Sequence, residues 1–340
     1  MTNTTIAVGM KEVAKRAQVS IATVSAVVNN TKFVSDELRH RVEEAIKELG
    51  YRPNKVARRL KGKTSNIIGA TVTEMTNPFY PYMLKGIEDS AKEQGFNLLL
   101  STTGDIAEEE ESIIDTMIDQ GVDGVILSTV EDTEAPILKK LDTYGIPKVL
   151  INRVPEGYKG SYVGIDSLKV GELATKHLTN LGHSEIAFVG GNRFNSRLRE
   201  KGFRKVLYEQ GIPIREDWII NGDYDFSEAY KQTMKLFKKY NNKVPTAIFA
   251  ASDVMAMGVI KGCLDLGLSV PHDVSVIGSD NILYSEYFKV SLTTVDVQAY
   301  RMGEEGFNAL KSLIDSKENH QPLQLFLEPR LVVRESTIKQ

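Results

Sequence analysis

The chain has 340 residues, 41% apolar and 26% charged, with a net charge of −3 and a single cysteine, Cys263. These values exclude a disordered, collagenous or fibrous chain, an intrachain disulfide and a cysteine zinc cluster, and the length suits roughly two domains. No apolar run approaches the roughly 18 residues of a membrane span, and residues 1–9 lack a basic stretch leading into an apolar one, so a cytoplasmic protein away from membranes is expected.

The charge is unevenly placed. Residues 1–63 carry 13 Lys and Arg against 6 Asp and Glu, a net +7, which leaves −10 for the remainder. A basic head on an acidic body points to a polyanion-binding module. Lys11–Ala17 reads as a helix, and Ser20 is a good N-cap for a second helix over Ile21–Asn29. Val13, Ala17, Val24 and Val28 fall at helical spacing and can form a small core. Ser35 is expected to cap a third helix that buries Leu38, Val42, Ala45, Ile46 and Leu49, with Gly50 closing it. Asn54–Lys61 can form one more short helix, and residues 62–66 are polar linker.

From Ile67 the rhythm changes. Apolar runs at Ile67–Thr73, Phe96–Ser101, Gly124–Ser128, Lys148–Ile151, Ile186–Val189, Ala247–Ala250 and Val274–Gly278 alternate with amphipathic, helix-like segments. Continuous apolar strands separated by helices predict parallel sheet buried on both faces. About 270 residues of this pattern exceed one ordinary open sheet, so two doubly wound subdomains are expected, with a ligand cleft at the carboxyl ends of their strands. The predicted fold is thus a small all-α helix–turn–helix head on an α/β body of two doubly wound parallel-sheet subdomains. The expected boundaries are 1–53 for the head, 54–66 for a short helix and linker, 67–165 plus 296–325 for the first subdomain, and 166–295 plus 326–340 for the second.

A helix held across a tight turn can lie in the DNA major groove with its first residues on base edges. The residues expected to face outward are Ile21, Ala22, Ser25, Ala26 and Asn29, beside the capping Ser20 and Thr23. Lys11, Lys15, Arg16, Lys32, Arg39 and His40 are candidate phosphate partners. Other motifs fail. Gly62-Lys63-Thr64 lacks the first glycine of a phosphate loop and a preceding strand. His177 and His183 have no metal-ligand spacing, and no nucleophile–base pair or cofactor loop is present. The expectation is a non-enzyme without metal or cofactor.

Several motifs together resemble the lactose/galactose repressor family. In the head they are Lys11-Glu12-Val13-Ala14-Lys15-Arg16-Ala17, Val19–Ser25, Gly50-Tyr51-Arg52-Pro53-Asn54 and Val56–Lys61. In the body they are Asn77-Pro78-Phe79-Tyr80, Val122–Ile126, Pro245–Phe249, Asp253–Gly258 and Leu292–Val295. The resemblance covers nearly the whole chain from residue 10. It implies a body like a periplasmic sugar-binding protein and a homodimer on double-stranded operator DNA. It also implies a hinge helix in which Asn54, Ala57, Arg58, Leu60 and Lys61 meet the minor groove, with Leu60 as the wedge. An exposed apolar side chain among Lys55, Arg58, Arg59, Lys61 and Lys63 suits such a kink. The family often carries Arg or His where Ala26 stands, so its operator sequence does not transfer.

For the cleft, the resemblance implies an effector site of Phe79, Tyr80, Asn152, Arg153, Arg199, Tyr224, Asp253 and Asp280. Aromatic faces, aspartates and an arginine fork suit a polyol or a base. The reading is a transcriptional regulator, a repressor, controlled by a small metabolite of the sugar class. The alternatives within the family are a purine-like co-repressor or a phosphorylated carrier protein as the signal.

Overall fold

The computed structural model describes residues 9–29, 32–51, 64–239, 244–316 and 321–340. The chain divides into two compact units, Met1–Ser65 and Asn66–Gln340.

The first unit is built from α1 (Met10–Ala17), α2 (Ile21–Asn29) and α3 (Asp36–Leu49). Glu12 reaches back to the Gly9 N–H at 2.9 Å and so fixes the start of α1. Gln18 ends α1 in the left-handed region, φ 53°, and the Val19 N–H closes onto the Ala14 carbonyl. The Ser20 hydroxyl then accepts from the Thr23 N–H at 3.0 Å, the cap predicted for α2. Ser35 departs from expectation: only its carbonyl serves α3, accepting from the Arg39 N–H, and its side chain makes no cap. Gly50 ends α3 at φ 61°, and Tyr51 folds back into the core with its N–H on the Ile46 carbonyl. Val13, Ala17, Val24, Val42 and Ala45 are buried together.

The second unit holds two six-stranded sheets. In chain order the first subdomain runs β1 (Ile67–Val72), α4 (Phe79–Glu93), β2 (Asn97–Thr102), α5 (Ala107–Gln120), β3 (Gly124–Leu127), α6 (Pro136–Thr143), β4 (Lys148–Asn152) and β5 (Tyr162–Ile165). The second runs α7 (Ser167–Asn180), β6 (Ile186–Gly190), α8 (Phe194–Glu209), β7 (Ile219–Asn221), α9 (Phe226–Lys239), β8 (Ala247–Ala250), α10 (Asp253–Asp265), β9 (Ser275–Asp280), α11 (Tyr284–Tyr287) and β10 (Thr293–Asp296). The chain then returns to the first subdomain for α12 (Ala299–Asp315) and β11 (Gln324–Leu327), and ends in the second with β12 (Arg330–Val332).

The strand orders are β11-β5-β4-β3-β1-β2 and β12-β10-β9-β8-β6-β7. All pairs are parallel except β10 with β12. Three crossings therefore join the subdomains, after β5, after β10 and after β11. The last falls after Leu327, so Phe326 and Leu327 belong to the first sheet rather than beginning the second subdomain at 326. In each sheet the winding reverses beside the strand that starts it, β1 or β6. A doubly wound sheet opens a crevice at that switch point.

Helix pairs meet closely through glycine. A Cβ on Gly171 of α7 would sit 2.0 Å from the Arg199 carbonyl oxygen of α8, and one on Gly202 would sit 2.2 Å from that of Leu168. This contact fixes α8, and with it Arg199. Cys263 is fully buried in α10, where burial pushes its thiol up to about 12. His177 and His183 bind the chain end through Thr337 and the Ile338 carbonyl. Among the described residues there is no metal-holding cluster, and no helix is long and apolar enough to cross a membrane.

Candidate DNA-reading helix and effector cleft

In the head, α2 presents Ser20, Ile21 and Ala22 to solvent, with Ile21 46% exposed and Thr23 and Ser25 half-buried. Arg41 of α3 donates to the carbonyls of Ala17 at 2.7 Å and Gln18 at 3.2 Å, and so braces the turn between α1 and α2. Lys11, Lys15 and Lys32 are exposed, whereas Arg16 is paired with Glu48 at 2.6 Å. Ala26 is a correction. It was expected to face outward, but it is only 7% exposed and belongs to the head's apolar core. The reason is local packing: Val24, Ala26 and Val27 of α2 share one apolar cluster with Val34 and Val42, so the small side chain at 26 is covered while Ile21 and Ala22 on the same helix stay exposed. The Asn29 side chain and residues Asn54, Ala57, Arg58, Leu60 and Lys61 lie outside the described residues.

In the body, the carboxyl ends of both sheets converge on one cavity. Asn77, Phe79, Tyr80, Asn152 and Arg153 come from the first subdomain, and Arg193, Asn195, Arg199, Tyr224 and Asp280 from the second. Seven of the eight expected residues are therefore brought together. Phe79 and Tyr80 sit in the first turn of α4, their rings edge to face at 5.1 Å. The Asn77 carboxamide accepts from the Phe79 N–H at 3.1 Å and so starts that helix. The Tyr80 hydroxyl donates to Thr73. Asn195 donates across the cleft to Asn152 at 2.9 Å.

The arginines differ in how they are occupied. Arg153 forks onto Asp105 at 2.7 and 2.9 Å and also reaches Glu131 and Thr73, so its donors serve its own subdomain. Burial opposes the Asp105 charge, yet the Arg153 and Arg193 guanidinium groups hold that carboxyl below its usual range. Arg199, 2% exposed, donates to the Ala251 carbonyl and to Asp280 at 3.2 Å, while its Nε has no partner. Arg193 lies 4.7 Å over the Tyr224 ring, with one Nη unpartnered, and the Tyr224 hydroxyl is likewise unpartnered. Burial pushes the Asp280 carboxyl up to about 7, against the pull of Arg199.

Backbone strain collects at the same place. Asn152 (φ 69°), Tyr224 (φ 55°) and Asp280 (φ 124°) are non-glycine residues in the left-handed half of the map. Such costs persist where the surroundings enforce them, commonly at ligand sites.

Asp253 is the second correction. It is fully buried and does not line the cavity. One of its oxygens accepts from the Ile282 N–H at 2.9 Å and the Ser285 hydroxyl at 2.6 Å, and the other from the Thr294 hydroxyl at 2.5 Å. The carboxylate ties α10 to β10 and to the segment after β9. A residue match transfers the carboxylate but not its direction. Sequence reasoning also left out Arg193 and Asn195 as cavity residues. The available signal was their place between β6 and Arg199, at a strand's carboxyl end.

Comparison with known proteins agrees with this geometry. Residues 9–54 match the model of bacterial regulatory proteins, lacI family, and residues 175–337 match a periplasmic binding protein-like domain. The HTH-type transcriptional repressor PurR of Vibrio parahaemolyticus is 37% identical over 333 residues, 97% of this chain and 98% of that protein. Among solved structures, the lac repressor dimer bound to operator and the anti-inducer ONPF superimposes with a TM-score of 0.85 at 28% identity, covering 98% of this chain and 100% of that one. The transcriptional regulator CelR–cellobiose complex gives 0.71 at 31%, covering 97% and 99%. The chain belongs to the lacI family of bacterial regulatory proteins and is a DNA-binding transcriptional repressor under effector control.

Proposed function

We propose that the effector is a neutral, oxygen-rich ring of the sugar class, that its binding holds the two subdomains closed, and that closure sets the operator affinity of a homodimer. The effector is not transformed, and neither metal nor cofactor takes part. The observation that carries this reading is the convergence of unpartnered polar groups on residues of one cavity: Arg193 Nη1, Arg199 Nε and the Tyr224 hydroxyl. Buried donors without acceptors are costly, and a ligand carrying several hydroxyl or ring oxygens satisfies them together. Asp280, with its raised pKa, can accept from a hydroxyl or, protonated, donate to an oxygen. The cellobiose in the CelR complex supports the same class. The effector shifts the equilibrium only by its differential affinity for the open and closed forms.

Calorimetry of the full chain against cellobiose, ribose, glucose, hypoxanthine and guanine tests this. Binding of a sugar that Arg199→Ala abolishes supports the reading. Binding of a purine base alone overturns the sugar class.

A further inference from the structure

Of the carboxylates outside the ligand cavity that bridge the two subdomains, Glu131 meets a helix terminus. Glu131 lies in the loop after β3. Its Oε1 accepts from Arg153 of its own subdomain at 3.0 Å, and from the Phe194 N–H of the other at 3.1 Å. Its Oε2 accepts from Arg197 at 2.9 Å. Phe194 is the first residue of α8, and the flanking Arg193 gives that helix no side-chain cap. The first N–H groups of a helix need acceptors, and its positive end favours a carboxylate. Here the cap comes from the opposite subdomain. The same stretch of chain carries Arg193, Asn195 and Arg199 into the cavity. Arg193 is itself gripped across the cleft by Glu74 at 2.7 Å and Asp105 at 3.2 Å.

We propose that Glu131 is a positioning residue that latches the cleft by capping α8 in trans, so that closure and the placing of the ligand-facing side chains of α8 are one event. Opening the cleft breaks the cap and the Arg197 pair together. The pair alone is half-exposed and contributes little, since such pairs add about 0–1 kcal/mol. The cap is the larger part, because it satisfies a helix donor and the dipole at once. The inference rests on the reading above that closure is the signalling movement.

Hydrogen exchange of the full chain, without added ligand, tests it. In Glu131→Ala, the Phe194 N–H loses its acceptor and amides across 194–197 should exchange about tenfold faster, the factor expected when a capping side chain is cut back to alanine. Exchange in β6 and β8 should stay unchanged. Arg197→Gln should give a smaller acceleration, and the double variant should be no faster than Glu131→Ala alone. Unchanged exchange at 194–197, equal acceleration throughout the second subdomain, or additive effects in the double variant would each overturn the latch. A parallel arm measures affinity for the DNA sequence that the wild-type chain selects from a random library. Faster exchange with a changed affinity supports both ideas. Faster exchange with unchanged affinity keeps the latch and refutes closure as the signal.

Discussion

Replacing Asp253 with alanine should cost stability and leave ligand affinity alone. Three donors converge on its carboxylate: the Ile282 N–H and the hydroxyls of Ser285 and Thr294. An unsatisfied buried donor costs about 1–3 kcal/mol. The backbone N–H cannot move, so it takes about 2; each hydroxyl can turn toward another acceptor, so it takes about 1. Burial also pushes the Asp253 carboxyl up, so removing the charge returns part of this. The net loss should be about 3 kcal/mol, against typical domain stabilities of about 5–15 kcal/mol. Trp218, the chain's one tryptophan and fully buried in the same subdomain, reports the unfolding directly. With a denaturant slope of about 3 kcal/mol/M, the urea midpoint should fall by about 1 M. Effector affinity of the folded variant, measured by calorimetry at low temperature, should match wild type. An unchanged midpoint with lost binding would refute the structural role and return Asp253 to the cavity.

Ala26→Asp places a charge in the head's core and should abolish operator binding while sparing effector binding; a variant that still binds the operator would show that residue 26 faces outward. Gly171→Ala drives a methyl against the Arg199 carbonyl oxygen and should weaken effector binding by about tenfold or more as α8 shifts, whereas wild-type affinity would show that the contact does not position Arg199. Asp280 has a folded-state pKa of about 7, raised above its unfolded value of about 4, so the folded chain holds the extra proton between these values. That contribution is present in full below about pH 4 and is lost as pH rises through 7. Asp280→Asn should therefore flatten the fall in melting temperature between pH 5 and pH 8, and an unchanged fall would contradict the assignment.

The head was largely legible because its signals are local. Ser20, Gly50 and the apolar spacing each act within one or two turns, and the structure uses them as read. Most of the buried apolar strands were legible for the same reason. β5, β7, β10 and β11 were not: they are as short as β3 and β8, but carry polar residues such as Tyr162, Asn221, Thr293, Asp296 and Gln324 that break the apolar run. The cleft divides similarly. Arg199 and Asp280 could be placed because the resemblance matches them residue by residue, Asp280 at the end of β9 and Arg199 in the second turn of α8. Asp253 could not, because its direction depends on Ile282, Ser285 and Thr294, about 30 to 40 residues away. Glu131 carries no local signal, since its partners lie 22 or more residues away, two of them on a helix of the other subdomain.

The most direct test of the central claim is selection from a random DNA library with the full chain, alone and with each sugar and purine of the calorimetric panel. The account predicts enrichment of a pseudo-palindrome whose yield changes with a sugar, and loss of that change in Arg199→Ala with the palindrome retained. A palindrome whose yield no small molecule alters, or alters equally in Arg199→Ala, would contradict effector control through this cleft.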